Sequence, residues 1–255
     1  MPVVSAGTAA VPRHGLARTL SKLGICSRTE AARWIQAGRV SVDGRVVRDP
    51  EFPIAQEADA ARRISVDGQP AQGAARVCVM LNKPRGLVTS VSDEQGRDTV
   101  YRCLEGSGLP WLAPVGRLDK ASEGLLLFSN DPQWAAAVTD PDRGPDKTYH
   151  VQVDRLPETA ELQRLHEGIL VEGQCLRATR ATVLRHGERH AWLEIVLDEG
   201  RNRQIRRLLA ALDIAVLRLV RVAIGSLVLG DLAKGSWRPL SDPEQRLLMP
   251  DRDGG

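Results

Sequence analysis

Gly116-Arg117-Leu118-Asp119-Lys120-Ala121-Ser122-Glu123-Gly124-Leu125-Leu126-Leu127-Phe128 joins a charged, glycine-bounded loop to a run of four apolar residues. A short apolar run between turn signals reads as a buried strand. Just beyond it, Asp131-Pro132 is an N-cap followed by proline at the first helical position, so a helix starts there. Arg117 and Asp119 are thus expected on a loop at the mouth of a buried strand. Exposed charges on a rigidly held loop are where sites are built. Spacing alone also allows a plainer reading, a loop ion pair of Arg117 with Asp119 or Glu123.

Outward from this stretch, Val77–Leu81 is a short apolar strand running into Asn82-Lys83-Pro84-Arg85-Gly86, where Pro and Gly force a turn. Farther along, after Gly200, Ile205, Leu208, Leu209 and Leu212 recur at helical spacing and form one buried stripe. Arg203 and Arg207 fall together on another face, and Arg206 lies beside the stripe. From there its guanidinium either reaches inward or covers apolar surface with its stem.

The N-terminal part is built differently. Leu16–Leu23 reads as a short helix closed by Gly24. Ser27-Arg28-Thr29-Glu30 is a capping box opening a second helix to about Ala37, ended by Gly38. Val40-Ser41-Val42 and Arg45-Val46-Val47 flank the two-residue turn Asp43-Gly44, a hairpin pattern. A second Asp-Gly turn, Asp67-Gly68, follows Ile64-Ser65-Val66; generic hairpin turns account for the likeness better than a repeat does. Residues 1–15 and 251–255 read as tails, 16–68 as a small domain, 69–75 (QPAQGAA) as a linker, and 76–250 as a second, larger domain.

Composition excludes several classes. With 42% hydrophobic and 26% charged residues, the chain is not disordered throughout. It has no apolar run near the ~18 residues of a membrane span. No charged region precedes the mildly apolar Pro2–Val11, so a secretory signal is not expected, although the absence of acids before Glu30 leaves an organelle transit peptide as the lesser alternative. Cysteines 26, 78, 103 and 175 are scattered and suit a reducing, cytoplasmic setting. His186 and His190 flank Gly187, which suggests a turn, and no metal is expected. Charge is uneven: residues 11–48 hold eight basic side chains and two acids, net +6, while the whole chain is +3. That is the footprint of a polyanion partner, or the solvated surface of a chain with 30 Arg and 5 Lys.

RTLSKLGICSRTEAARWIQAGRVSVDGRVV resembles the S4 RNA-binding domain, and by position the resemblance assigns phosphate contacts to Arg18, Lys22, Arg28, Arg33 and Arg39. GRLDKASEGLLLFSND resembles the signature of the RsuA/RluB-type pseudouridine synthases, with Ser122 where Thr is usual. Lys147-Thr148-Tyr149-His150-Val151, Gly200–Arg207 and NKPRG at 82–86 agree in order and spacing. The likeness spans residues 16–240. It implies an α+β fold: a small helix-helix-hairpin S4 module, then a larger synthase domain with a mostly antiparallel sheet.

The resemblance further implies a monomeric enzyme that isomerises a uridine of rRNA, with the large subunit favoured, and that uses no cofactor. Asp119 would be the catalytic carboxylate, either attacking the sugar or acting as a base. Tyr149 would pack on the uracil and help move a proton. Arg206 would pair with Asp119. Arg117, Arg203 and Ile205 would contact substrate, Arg117 either replacing the extruded base or binding phosphate. A non-catalytic ribosome-assembly factor on the same fold is the rival. An S4-linked methyltransferase would need a glycine-rich nucleotide loop, which the sequence lacks.

Overall fold

A computed structural model describes residues 13–55, 60–91 and 93–249. Two compact units divide the chain: Met1–Arg76 with Pro110–Leu112, and Val77–Leu109 with Ala113–Gly255. The first unit runs β1 (Arg13–Gly15), α1 (Leu16–Lys22), α2 (Arg28–Gln36), β2 (Val40–Val42), β3 (Arg45–Val46), β4 (Pro53–Ala55), β5 (Ile64–Val66) and β6 (Gln69–Pro70). Its core is Leu16, Leu20, Ala31, Ile35, Val40 and Ile64, the apolar positions that α1, α2, β2 and β5 turn inward.

Three expectations change here. Of the tails expected at 1–15 and 251–255, only 13–15 lie within the described residues, and they form β1, paired with β4. The stretch expected as a linker contributes Gln69–Pro70 to the sheet, and the Ala71 N–H donates to the Ile64 carbonyl. The capping box is half formed. Ser27 Oγ accepts from the Glu30 N–H at 3.0 Å, but the Glu30 carboxylate turns to Trp34 Nε1 at 2.8 Å.

The two Asp-Gly turns have a closer relation than generic hairpins need. Asp43-Gly44 and Asp67-Gly68 share positive φ at both residues (49° and 77°, 49° and 78°), as a tight hairpin turn requires. Strands β2 and β5 pair antiparallel between them, so each turn lies beside an Arg next to the other: Arg63 holds Asp43, and Arg39 holds Asp67.

The second unit runs β7 (Cys78–Lys83), β8 (Ala113–Val115), β9 (Glu123–Ser129), α3 (Pro132–Val138), β10 (Lys147–Val153), α4 (Thr159–Glu167), β11 (Ile169–Val171), β12 (Gln174–Leu176), β13 (Arg180–His186), β14 (Ala191–Leu197), α5 (Gln204–Ala210), β15 (Val216–Ile224), β16 (Leu227–Val228), β17 (Trp237–Pro239) and α6 (Asp242–Leu247). Nine of its strands form one sheet in the order β13-β14-β10-β15-β9-β7-β17, with β8 on β9 and β16 on β15. Strand β9 is buried on both faces. Leu125 and Leu127 pack with Trp134 and Val138 of α3. On the other face Phe128 meets Tyr101 edge-on at 5.7 Å. Asp131 caps α3 by accepting from the Gln133 and Trp134 N–H groups, with Pro132 in the first turn.

All strand pairs of this sheet are antiparallel except β15 with β9, which pair in parallel through Val220–Glu123 and Arg221–Gly124. There the backbones approach so closely that a Cβ on Gly124 would lie 2.2 Å from the Arg221 carbonyl oxygen, and φ at Gly124 is 99°. Only glycine fits. Gly124→Ala is expected to lower the unfolding free energy by roughly 3 kcal/mol or more in urea titrations. Gly235→Ala, at φ 77° with no atom within 4 Å of the new Cβ, should lose only about 1 kcal/mol. Equal losses at the two positions would mean that the β9–β15 contact does not constrain residue 124.

Candidate active site

The charged loop that precedes β9 is built from main-chain carbonyls held from below. Lys83, fully buried at the end of β7, donates from Nζ to the carbonyls of Ser122 (2.8 Å), Asp119 (3.2 Å) and Pro84 (3.1 Å). Thr89 Oγ1 donates to the Leu118 carbonyl at 2.7 Å, and the Gly86 N–H to that of Lys120 at 2.7 Å. Burial pushes the Lys83 ammonium down to about 8, against the pull of Glu123 and Asp119. The sequence shows NKPRG as a turn. That its lysine is the post under residues 118–122 depends on β7 and β9 pairing, which spacing does not reveal.

The other end of the loop is fixed by Glu123, which is 2% exposed. Arg218 Nε and NH2 grip its two oxygens at 2.8 and 3.0 Å, and Lys234 adds a second cation. Burial alone would raise this carboxyl, but the hydrogen bonds and charges of Arg218 and Lys234 outweigh it and hold the group at about 2. The ion pair that spacing allowed, Arg117 with Asp119 or Glu123, is therefore not formed. Glu123 is occupied, and exposed Arg117 makes no ion pair among the described residues.

Around this loop a cavity of about 780 Å³ opens in the second unit. Asp119, Tyr149, Arg206, Arg117, Arg203 and Ile205 all line it. Tyr149 comes from β10, where it is 8% exposed, and Ile205 from the buried side of α5. Helix α5 starts behind an arginine in the left-handed region, Arg203 at φ 50°. Gln204, 2% exposed, ties that entry down by donating to the Arg177 carbonyl (3.0 Å) and Glu199 (2.7 Å) and by accepting from the Arg201 N–H (3.2 Å). Its polar side chain inside an apolar stripe was the one signal in the sequence for that role.

The expected pairing of Arg206 with Asp119 is corrected by this geometry. The carboxylate's ion partner is Arg203, with NH1 3.7 Å from Oδ2, a charge contact longer than a hydrogen bond. The left-handed turn at Arg203 aims its side chain back at the loop. Arg206, half-buried one turn later, instead points NH2 at the Ala121 carbonyl and NH1 at that of Val216, both at 3.4 Å, and its Nε is buried without a partner. Burial and neighbouring Arg203 lower the Arg206 guanidinium from its ordinary value, while Asp119 raises it. Arg207 turns away to Glu172 at 2.9 Å.

The remaining candidates, Arg18, Lys22, Arg28, Arg33 and Arg39, are all exposed on the first unit. Arg33 meets Glu30 at 3.3 Å, Lys22 meets His14 at 2.7 Å, and Arg39 both binds Asp67 and covers the Trp34 ring at 4.9 Å. Arg18 and Arg28 make no ion pair among the described residues. No described helix is long and apolar enough to cross a membrane.

A carboxylate on a clamped loop thus shares a sheet-borne cleft with a tyrosine and several arginines, a lining suited to an anionic ligand. The family "RNA pseudouridylate synthase" matches residues 77–211, and the S4 domain matches residues 15–59. Ribosomal large subunit pseudouridine synthase E of Xanthomonas campestris is 40% identical over 176 residues, covering 63% of this chain and 93% of that protein. Ribosomal large subunit pseudouridine synthase B of Bacillus subtilis is 30% identical over 243 residues, covering 94% and 97%. A crystal structure of a pseudouridylate synthase superposes with a TM-score of 0.62 at 28% identity, over 92% of this chain and all of that one. The chain belongs to the RNA pseudouridylate synthase family and carries an S4 domain ahead of the synthase domain.

The Glu123 clamp has a measurable pH signature. Its carboxyl is lowered from 4.5 to about 2, so its stabilisation is complete above the unfolded value and is lost as pH falls from there through about 2. Glu123→Gln is expected to destabilise the fold by roughly 3 kcal/mol at pH 7, with the gap to wild type narrowing below about pH 4.5. Urea unfolding at pH 7, 5 and 3.5 checks this. A gap constant over that range would mean that the charge on Glu123 contributes nothing.

Proposed function

We propose that this protein isomerises a specific uridine of ribosomal RNA, in the large subunit, to pseudouridine with Asp119 as the catalytic carboxylate. The observation that carries the reading is the joint presence of Asp119 and Tyr149 on one cavity, with the Asp119 loop clamped by Lys83 and Glu123. The two relatives named as large-subunit synthases support the choice of RNA and a cytoplasmic setting.

In this reading the N1–C1′ bond of the target breaks, the detached uracil turns, and C5 joins C1′. C5 gives up its proton and N1 takes one, so substrate and product are isomers. Asp119 acts at the sugar, as nucleophile or as base, and either role needs it ionised. Arg203, with NH1 3.7 Å from its Oδ2, and half-buried Arg206 place positive charge beside it. Tyr149 packs on the uracil and passes a proton. Ile205 adds an apolar wall. Arg117, exposed and without an ion pair among the described residues, holds an extruded nucleotide, by its base position or its phosphate. The S4 unit docks the RNA through its exposed cations, and the protein acts as a monomer.

Two measurements test this. Asp119→Asn should lower single-turnover conversion of an rRNA fragment by at least about 10³-fold while RNA affinity stays within a few-fold; measurable turnover by Asp119→Ala would refute the role. Arg18→Ala with Arg28→Ala should leave the saturating rate unchanged and reduce the log–log salt slope of RNA binding by about 0.7–0.9 per lost contact. An unchanged slope would remove these two residues from the RNA interface.

A further inference from the structure

Arg221 lines the same cavity and is 5% exposed. It is doubly fixed. Its backbone is pressed against Gly124, and its Nε donates to the Leu125 carbonyl at 2.7 Å. The terminal nitrogens have no acceptor among the described residues, and NH2 is buried without a partner. A buried donor left unpaired is costly and calls for an acceptor the fold itself does not supply. Arg221 also sits directly opposite Tyr149 across the β10–β15 pair, with Cβ atoms about 5 Å apart in such a pair. A uracil ring packed on Tyr149 therefore has its edge within reach of this guanidinium.

We propose that Arg221 contacts the substrate directly, donating from its terminal N–H groups to the uracil O4 carbonyl and stabilising the negative charge that the uracil carries once its bond to the ribose has broken. The inference rests on the function proposed above. When the N1–C1′ bond breaks, its electron pair leaves with the uracil, and the charge spreads from N1 to O2 and O4. A fixed donor in a closed site stabilises such developing charge without reorganising. Arg221 keeps its own proton, and the charge is discharged when C5 bonds to C1′ and N1 is protonated. O4 is the expected acceptor because the sugar must lie at Asp119, whose side chain is 34% exposed, and the C4–O4 edge is the one farthest from the sugar. Lys147 also lines this cavity, its Nζ donating to the Asp198 carbonyl at 3.4 Å; burial together with the charge of Arg221 holds its ammonium below the ordinary value, and an anionic base bound here would relieve that repulsion. The same donor would reject cytosine, whose 4-amino group offers N–H where O4 is needed.

Arg221→Gln is a selective probe, because the glutamine Nε2 occupies nearly the position of the arginine Nε. It can keep the bond to the Leu125 carbonyl while the terminal donors are removed. With the full-length protein and an rRNA fragment, the variant should convert at least about 100-fold more slowly at saturation, with Kd within threefold. A fragment carrying 4-thiouridine at the target, whose sulfur accepts hydrogen bonds poorly, should slow the wild type at least about tenfold more than it slows Arg221→Gln, since partners in one contact are not additive. Should the variant not fold, the wild type alone still decides: a 4-thiouridine penalty exceeding that of 2-thiouridine at least tenfold supports O4 as the acceptor. A wild-type saturating rate for Arg221→Gln, equal thio penalties in wild type and variant, or equal 2-thio and 4-thio penalties would overturn the proposal. In each of those cases the wild type still converts uridine, whereas wild-type protein that converts no uridine at all refutes the function itself.

Discussion

Two residues of parallel pairing, Val220 with Glu123 and Arg221 with Gly124, join the halves of the nine-stranded sheet, and the cavity is arranged about that seam. One cross-strand row passes through it: Lys83, Gly124, Arg221, Tyr149 and Ile195. Lys83 anchors the Asp119 loop. Gly124 lets the strands approach. Arg221 and Tyr149 line the cavity. A β-carbon at position 124 would separate these elements, so the glycine's missing side chain sets the distance between the loop and that pair of residues.

The charges at this seam are sorted by burial. Glu123, almost wholly enclosed, is matched by Arg218 and Lys234, and so fixes the start of β9. Asp119 keeps a third of its side chain open and has only the longer contact with Arg203. Asp119 is thus left less occupied than its neighbour Glu123. The cavity's arginines outnumber its carboxylates, and in a partly enclosed site such an excess draws in a polyanion and favours negative charge on whatever is bound.

Much of this was legible in the sequence because it is local. The apolar run Leu125–Phe128, the Asp131-Pro132 helix start, the stripe through Ile205 and the two Asp-Gly turns are set by neighbours within a few positions. What was not legible depends on which distant strands meet. Lys83 and Arg221 read as an ordinary turn lysine and strand arginine until β7, β9 and β15 are placed side by side. Arg203 rather than Arg206 reaches Asp119 because the chain enters α5 through a left-handed residue, and arginine is not a residue that signals one. The reciprocal Arg–Asp pairs of the first unit likewise needed β2 and β5 to adjoin. Gln69 and Pro70 looked like linker because a two-residue edge strand is too short to show alternation.

The central claim is that the Asp119 cavity modifies a uridine of large-subunit rRNA, and its most direct test is in cells. Pseudouridines are mapped across the rRNA by carbodiimide-dependent reverse-transcription stops in a strain lacking the gene, then in the same strain carrying wild-type or Asp119→Asn copies. A large-subunit position is expected to lose its stop on deletion, to regain it with the wild-type copy, and to stay unmodified with Asp119→Asn. An unchanged map after deletion, or full restoration by the Asp119→Asn copy, would contradict it.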